Sequence, residues 1–173
     1  MLLGTALASH TLFNFYAALL AIFSLFQIYK IDTNSLTKEK LLFWITPLVI
    51  FIVAYLLDGV FLDFLKPYLD FPRPPLALPQ GSLIIVGKPE LHHSFPSGHS
   101  SFAMLIVASV WTILSKHTKW IAILFLIWVG TSRISLGAHF PADVAGGFLT
   151  SFLIVFSLRK LLKIFENRIN FKS

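Results

Sequence analysis

The sequence predicts an all-α integral membrane protein, a compact bundle of about five transmembrane helices with one long extracytoplasmic loop. Hydrophobic residues make up 56% of the chain and charged residues only 13%, about half of the roughly 25% that soluble proteins carry. The charged residues are also clustered, which leaves long apolar runs between them. Because 173 residues is the length of one domain, we expect residues 1–173 to form a single membrane-embedded domain.

The apolar runs locate the helices. The first, at about 2–29, can cross a bilayer as one helix, and so can the second, at about 41–65, which Pro47 is expected to kink. Residues 66–96 form the long loop, since they hold seven of the nine prolines and proline interrupts a helix. Three further spans are predicted at about 98–115, 120–136 and 141–158, followed by a basic amphipathic tail, 159–173, expected to lie as an interfacial helix.

Two smaller features of these segments bear on packing. Within the loop, 76–78 and 83–86 are apolar and are expected to lie on the membrane surface or against the bundle, with a short hairpin as the alternative. The last helix carries small residues that predict close helix packing. They are Ala142, Ala145, Gly146 and Gly147.

The basic residues predict the orientation of the bundle. Five spans put the two chain ends on opposite sides of the membrane, and ten of the 14 basic residues then share the side of the C-terminus. These are Lys30, Lys38, Lys40, Lys116, Lys119, Arg159, Lys160, Lys163, Arg168 and Lys172. By the positive-inside rule this side is cytoplasmic, so the N-terminus and the long loop face outward. The four outward basic residues, Lys66, Arg73, Lys88 and Arg133, need another explanation.

Composition also excludes several classes of function. The chain has no cysteine, so it has no disulfide framework, no thiolate nucleophile and no Cys-type zinc site. The net charge of +6 does not indicate a nucleic-acid partner, because the basic residues lie in short loops and the tail, where they set topology and meet anionic lipid heads.

Three segments on the outer face, 66–74, 96–99 and 132–143, contain the residues suited to chemistry. Together they supply three cations, two histidines, a carboxylate and the start of a helix. The substrate that calls for all of these is a phosphoryl group. The cations are Lys66, Arg73 and Arg133; the other groups are His99, His139, Asp143 and the pair Ser97 and Gly98.

Spacing and position suggest a role for each residue. His139 and Asp143 are four apart, so they share one face if a helix starts near His139. Asp143 can then orient the ring so that its other nitrogen attacks phosphorus. His99, in the first turn of the helix predicted at about 98–115, can protonate the departing oxygen. The three cations spread positive charge over the phosphate oxygens, and Ser97 with the Gly98 N–H group completes the cradle.

The three segments resemble the type 2 phosphatidic acid phosphatase superfamily, whose pattern is Lys-x6-Arg-Pro, Pro-Ser-Gly-His and Ser-Arg-x5-His-x3-Asp. All three motifs occur in order between Lys66 and Asp143. The resemblance implies a membrane phosphatase in which His139 forms a phosphohistidine, His99 is the general acid and water hydrolyses the intermediate. It implies no metal and no cofactor. Pro74 and Ser132 belong to these motifs and are interpreted as supporting residues.

The resemblance also implies the kind of substrate and the membrane. A site beside the headgroups suits a phosphate carried on a membrane lipid, and the candidates are lipid A 1-phosphate, phosphatidylglycerol phosphate, phosphatidic acid and undecaprenyl pyrophosphate. In its small size, the chain most resembles the bacterial lipid A 1-phosphatases. We therefore expect a multi-pass protein of the bacterial cytoplasmic membrane, with the active site outside and the C-terminus inside.

Residues outside the motifs are interpreted more simply. His10 and His117 are expected to be structural, whereas His93, beside His92, is a candidate supporting residue for the site. A metal site built from the histidines of the outer face is disfavoured, because three cations lie beside it. Three carboxylates, Asp58, Asp63 and Asp70, are expected to pair with Lys66 or Arg73.

Two other functions share some of these features. A non-catalytic phosphate or lipid carrier would use the same cations but would not need His139 and Asp143 at fixed spacing. Haloperoxidase chemistry is known among soluble relatives of the superfamily and is disfavoured for a membrane chain. The oligomeric state is left open by the sequence.

Overall fold

The computed structural model describes residues 2–79, 81–82 and 89–170, and all regular structure in these ranges is helical. Seven α-helices follow one another along the chain. They are α1 (Leu2–Leu7), α2 (Phe13–Tyr29), α3 (Lys38–Leu69), α4 (Pro74–Ala77), α5 (Gly98–Val110), α6 (Lys116–Ser135) and α7 (Pro141–Asn170), with 3₁₀ turns at His10–Leu12 and Thr33–Ser35. The all-α prediction is confirmed.

Two stretches of the described chain are long and apolar enough to cross a membrane, His10–Tyr29 and Lys38–Ala77, and α5 is a shorter apolar helix. The centre of the bundle is α5, which packs against α7, α3 and α6. Its main core joins Phe51 of α3, Phe102 and Leu105 of α5, and Val155 of α7, all nearly or fully buried. Burial of such side chains stabilises the bundle by about 1.5–3 kcal/mol each where water is the alternative.

Two glycines let α7 approach α5 closely. A Cβ atom added at Gly147 would overlap the carbonyl oxygen of Ser97, and one added at Gly146 would overlap the ring of Phe95. The predicted close packing of the last helix is therefore confirmed for these two positions. The expectation is wrong for Ala142 and Ala145, which are exposed.

A buried carboxyl group joins three helices of the bundle. Asp58 of α3 is fully buried and accepts hydrogen bonds from the hydroxyls of Ser101 (2.7 Å, α5) and Ser151 (3.0 Å, α7). A polar group buried in this way needs such partners. The expectation that Asp58 pairs with Lys66 or Arg73 is therefore wrong, because two serines on neighbouring helices satisfy it instead.

The first apolar run is broken, contrary to the prediction of one helix. Helix α1 ends at Leu7, whose carbonyl oxygen accepts a hydrogen bond from the Tyr16 hydroxyl (2.8 Å). The Ser9 hydroxyl then accepts from the Thr11 N–H group and starts the 3₁₀ turn. Side chains therefore satisfy the backbone groups at this break, which hydrophobicity alone cannot indicate.

Other helix ends differ from the predicted ones. Helix α3 continues past Pro67 and ends at Leu69. The next residue, Asp70, adopts the left-handed conformation (φ 40°), and its N–H group donates to the backbone carbonyl oxygen of Lys66. The expected loop therefore starts at Asp70, and it contains α4. Helix α5 ends at Val110 rather than near 115, α6 starts at Lys116, and α7 runs without a break into the tail. The expected patch at 83–86 lies outside the described residues.

Candidate active site

Six parts of the chain line one cavity of about 590 Å³. They are the 3₁₀ turn before α2, the second half of α3, the loop between α3 and α5, the first turn of α5, the last turn of α6 and the turn before α7. The polar part of its lining consists of His10, Asp63, Lys66, Arg73, Glu90, Gly98, His99, Arg133 and His139. The apolar part consists of Tyr55, Leu56, Gly59, Val60 and Leu62 of α3.

The predicted pair of His139 and Asp143 lies in the turn before α7 and in its first turn, and both residues are buried. Nδ1 of His139 is 3.6 Å from Oδ2 of Asp143, slightly too far for a hydrogen bond. Oδ2 also accepts hydrogen bonds from the Ser94 hydroxyl and from the Phe140 N–H group (2.8 Å). These two donors fix the carboxylate beside the imidazole.

The neighbour on the other side of the ring indicates which nitrogen of His139 is free. Nη1 of Arg73 lies 3.3 Å from Nε2 of His139. Since a guanidinium can only donate, Nε2 accepts and carries no proton. The proton is then on Nδ1, which faces Asp143, and the lone pair of Nε2 faces the cavity. This is the arrangement of an oriented imidazole nucleophile.

The electrostatic surroundings keep His139 neutral. Burial lowers the pKa of His139 below its ordinary value, and the positive charges of Arg73 and Arg133 act in the same direction, whereas Asp143 opposes them. A neutral imidazole has the lone pair that nucleophilic attack requires.

Ser97 joins the starts of α5 and α7. Its hydroxyl is the N-cap of α5, accepting from the Ser100 N–H group, and its own N–H group donates to the Asp143 carbonyl oxygen (2.9 Å). The side chain is fully buried and does not line the cavity. Its place therefore favours a role in holding His99, which does line the cavity, against the turn that carries His139.

Gly98 is where three parts of the site come closest. A Cβ atom at this position would lie 3.2 Å from Nε2 of His10 and 3.6 Å from Nζ of Lys66. Glycine leaves this space open, so both side chains approach the first turn of α5. That turn presents free N–H groups and the positive end of the helix dipole to an anion.

Arg73 is held by groups from three segments. Its Nε donates to the His92 carbonyl oxygen (2.9 Å), its Nη1 to the Ala138 carbonyl oxygen (3.4 Å), and its Nη2 forms an ion pair with Glu90. Pro74 follows it, is buried and starts α4. A residue before proline favours the extended backbone, which Arg73 adopts.

Arg133 occupies the last turn of α6 and is largely buried. Its Nη1 donates to the hydroxyl of Thr5 (3.3 Å), which in turn lies 3.3 Å from the Ser132 hydroxyl. Among the described residues its Nε, also buried, has no hydrogen-bond partner. Arg133 also lines the cavity, so its guanidinium can donate to an anion bound there.

His92 and His93 lie at the rim and do not line the cavity. Oδ1 of Asp70 is 3.3 Å from Nδ1 of His92 and 3.1 Å from Nδ1 of His93. His93 also approaches the carbonyl oxygen of Lys66 (3.2 Å). The expectation that Asp70 pairs with Lys66 or Arg73 is wrong; instead, it joins the loop to the end of α3.

Four residues around this site were not predicted to belong to it. They are Thr5, Glu90, Ser94 and His10, of which His10 was expected to be structural and instead lines the cavity. Each is only a polar side chain in the sequence, which does not indicate its partner. Within the described ranges, no group of three or more His, Cys, Asp or Glu residues could hold a metal ion.

Fold and site together define a helical bundle with a cationic pocket and an oriented histidine at one end. The chain matches the PAP2 superfamily over residues 47–165 and belongs to it. The match covers all three motifs and leaves out α1 and α2. The solved structures that the chain resembles include a transmembrane protein of this family, in agreement with the integral membrane class that its apolar helices predict.

Several relatives are known. The chain is 28% identical to LpxE of Aquifex aeolicus, whose crystal structure superposes with a TM-score of 0.70 and covers 91% of this chain and 81% of that one. A transmembrane PAP2 type phosphatidylglycerolphosphate phosphatase from Bacillus subtilis is 27% identical, with a TM-score of 0.61 and coverage of 96% and 74%. A lipid A 1-phosphatase of Rhizobium johnstonii is 29% identical over 136 residues, 76% of this chain and 54% of that protein. The chain spans about half the length of the curated relatives it matches.

Proposed function

We propose that this protein is a membrane lipid phosphatase that works through a phosphohistidine on His139. One observation supports this most strongly: Nε2 of His139 faces the cationic cavity with its lone pair, while Nδ1 faces Asp143. A carrier would need the cations but not an imidazole held in this tautomer. The geometry therefore favours an enzyme over a binding protein.

The reaction proceeds in two displacements. Lys66, Arg73 and Arg133 bind the phosphate oxygens, and Nη1 of Arg73 moves from Nε2 to the substrate, which frees the lone pair. Nε2 attacks phosphorus, the bond to the leaving oxygen breaks, and His99 gives that oxygen its proton. Water then attacks the phosphohistidine, His99 takes a proton from it, and phosphate leaves with His139 restored.

The apolar wall of the cavity supports a lipid as the phosphate carrier. Leu56 and Val60 line the cavity and are also exposed on the outside of α3, by 60% and 71% of their surface. Gly59 lies between them, and a Cβ atom there would meet nothing within 4 Å. The phosphate pocket therefore opens sideways over Gly59 toward the acyl region of a membrane.

Among lipid phosphates, lipid A 1-phosphate is our first candidate, because relatives include a lipid A 1-phosphatase and LpxE. Phosphatidylglycerol phosphate is next, on the similarity to the Bacillus enzyme, followed by phosphatidic acid and undecaprenyl pyrophosphate. The site shares the outer end of the bundle with the N-terminal segment, and Lys38 and Arg159 line a cavity at the other end. This favours an outward site and a cytoplasmic C-terminus in a bacterial cytoplasmic membrane.

A phosphate-release assay tests the proposal. Purified protein in detergent is offered the four lipid phosphates, with and without a chelator, beside a His139→Ala variant. We expect release from at least one lipid, unaffected by chelator and lost in the variant. Binding of the lipids without any release would favour the carrier, and full activity of the variant would contradict the assignment of His139.

A second test addresses the lipid. Gly59→Phe fills the side opening without touching the cations, so release from lipid substrates should fall while hydrolysis of a small soluble phosphomonoester continues. Equal loss on both substrates would mean that the opening is not the lipid path. Orientation is tested by single cysteines at Ser82 and Thr118, of which only the first should react with an impermeant thiol reagent on intact cells.

A further inference from the structure

We propose that the N-terminal segment Leu2–Leu12 is a positioning element of the active site, in which Thr5 orients Arg133 and His10 orients the first turn of α5. The inference rests on the proposed phosphatase function. It concerns residues outside the part of the chain that matches the family, which begins at residue 47. Neither side chain belongs to the three motifs.

Thr5 controls the direction of the Arg133 guanidinium. The Thr5 hydroxyl accepts from Nη1 of Arg133 and has its own proton left for the Ser132 hydroxyl, 3.3 Å away. Arg133 can rotate about four side-chain bonds, and a fixed acceptor on one nitrogen selects one direction for the fork. With Nη1 held, the other donors of Arg133 remain available to a phosphate oxygen.

His10 acts on the peptide group that links Gly98 to His99. Its Nε2 donates to the Gly98 carbonyl oxygen (3.0 Å). The N–H group of the same peptide belongs to His99 and lies in the first turn of α5, where no helical partner is available to it. A donor on the carbonyl side polarises the peptide and strengthens that N–H group as a phosphate ligand. It also fixes the backbone that carries His99.

The segment is anchored well enough to do this. Ala8 is fully buried against Ala103 of α5 and Val129 of α6. Gly4 is buried as well, and a Cβ atom there would lie 3.4 Å from Ser132 and from Trp128. The ring of His10 packs against Phe102, with 4.9 Å between ring centroids. The apolar contacts thus hold the segment, while Thr5 contacts Arg133 and His10 lines the cavity.

The Thr5 arm is tested by a matched pair. Thr5→Val keeps the shape and removes the acceptor, so we expect KM to rise about tenfold, the size of one charged hydrogen bond, with kcat little changed. Thr5→Ser restores the hydroxyl and should restore KM. Thr33→Val, an exposed threonine in the 3₁₀ turn before α3, is the control and should match the wild type.

A second set of variants tests the hydrogen bond that His10 donates. His10→Phe keeps the ring contact with Phe102 but cannot donate, and we expect kcat to fall about tenfold at an unchanged melting temperature. His10→Gln returns an N–H donor and should recover most of kcat. His117→Phe, an exposed histidine at the far end, should have no effect.

Binding of inorganic phosphate, measured by calorimetry, separates this inference from the proposed function. If the wild type releases no phosphate from any lipid, the phosphatase assignment fails. Weaker phosphate binding by Thr5→Val but not Thr5→Ser would still support the N-terminal segment as part of an anion site. Equal losses in Thr5→Val and Thr5→Ser, or losses that follow the melting temperature, would overturn the inference.

Discussion

The two histidines and the three cations of the site are held in different ways. His99 and His139 sit at the starts of α5 and α7, which are joined by the Ser97–Asp143 backbone hydrogen bond and by the contact of Gly147 with Ser97. The cations are held through their own side chains, Arg133 by the Thr5 hydroxyl and Arg73 by the His92 carbonyl oxygen. The two histidines are thus positioned through the backbone, whereas the cations are positioned through contacts of their side chains.

This difference predicts two kinds of variant. Changes in the α5–α7 pair should lower kcat, and those that disturb its packing should lower stability as well. Changes around the cations should alter KM, because the cations are long side chains that can be re-aimed at moderate cost. Four experiments follow, from the largest expected effect to the smallest.

Asp143→Asn should have the largest effect. An amide in place of the carboxylate no longer selects the tautomer with the proton on Nδ1 of His139, and a comparable change in a catalytic triad lowers kcat by about 10⁴-fold. Steady-state kinetics should show this loss with KM and the melting temperature nearly unchanged. A variant with more than about a tenth of wild-type kcat would contradict the nucleophile assignment.

Gly147→Ala should disturb both stability and turnover. The added methyl group overlaps the Ser97 carbonyl oxygen, and overpacking of this kind costs about 1–3 kcal/mol. Thermal unfolding in detergent and kcat should both decrease. Gly59→Ala is the control, since its Cβ meets nothing within 4 Å, and it should remain as stable as the wild type. Equal behaviour of the two variants would argue against a tight α5–α7 contact.

The pH dependence of kcat/KM should reflect the lowered pKa of His139. Burial, with Arg73 and Arg133, lowers this pKa, so the nucleophile stays neutral below the ordinary histidine value of about 6.5. The acid limb of the profile should therefore have its midpoint below about 6.5. Arg73→Gln removes one positive charge and should move the limb of the residual activity toward higher pH. If the midpoint of the acid limb does not move in this variant, a group other than His139 is responsible for the limb.

Glu90→Gln should have the smallest effect, and unlike the other variants it should strengthen substrate binding. Glu90 pairs with Arg73 but its side chain is 72% exposed, and exposed ion pairs contribute at most about 1 kcal/mol. Removing this competitor for Arg73 should lower KM by up to about fivefold. Glu39→Gln, in the first turn of α3 at the other end, is the control. A rise in KM would mean that Glu90 aims Arg73 rather than competing with phosphate.

The sequence was most informative where function depends on neighbours along the chain. The helix that starts with His99 in its first turn and the four-residue spacing of His139 and Asp143 are local features, and the structure has both. The predicted helix ends were less accurate, because hydrophobicity continues through Ser9 while the backbone turns there. The partner of Asp58 was predicted wrongly for a related reason, since the choice between a cation and two serines depends on helix rotation.

By itself, the sequence determined the helical membrane class and indicated the residues that we propose carry the chemistry, because composition, helix starts and four-residue spacing are local properties. Only the tertiary structure decided what surrounds them. Ser94 reaches Asp143 across 49 positions, His10 reaches Gly98 across 88, and Arg133 reaches Thr5 across 128. Contacts over such distances depend on how the apolar faces of α1, α5, α6 and α7 pack, and that packing has no signature at the positions of the polar residues.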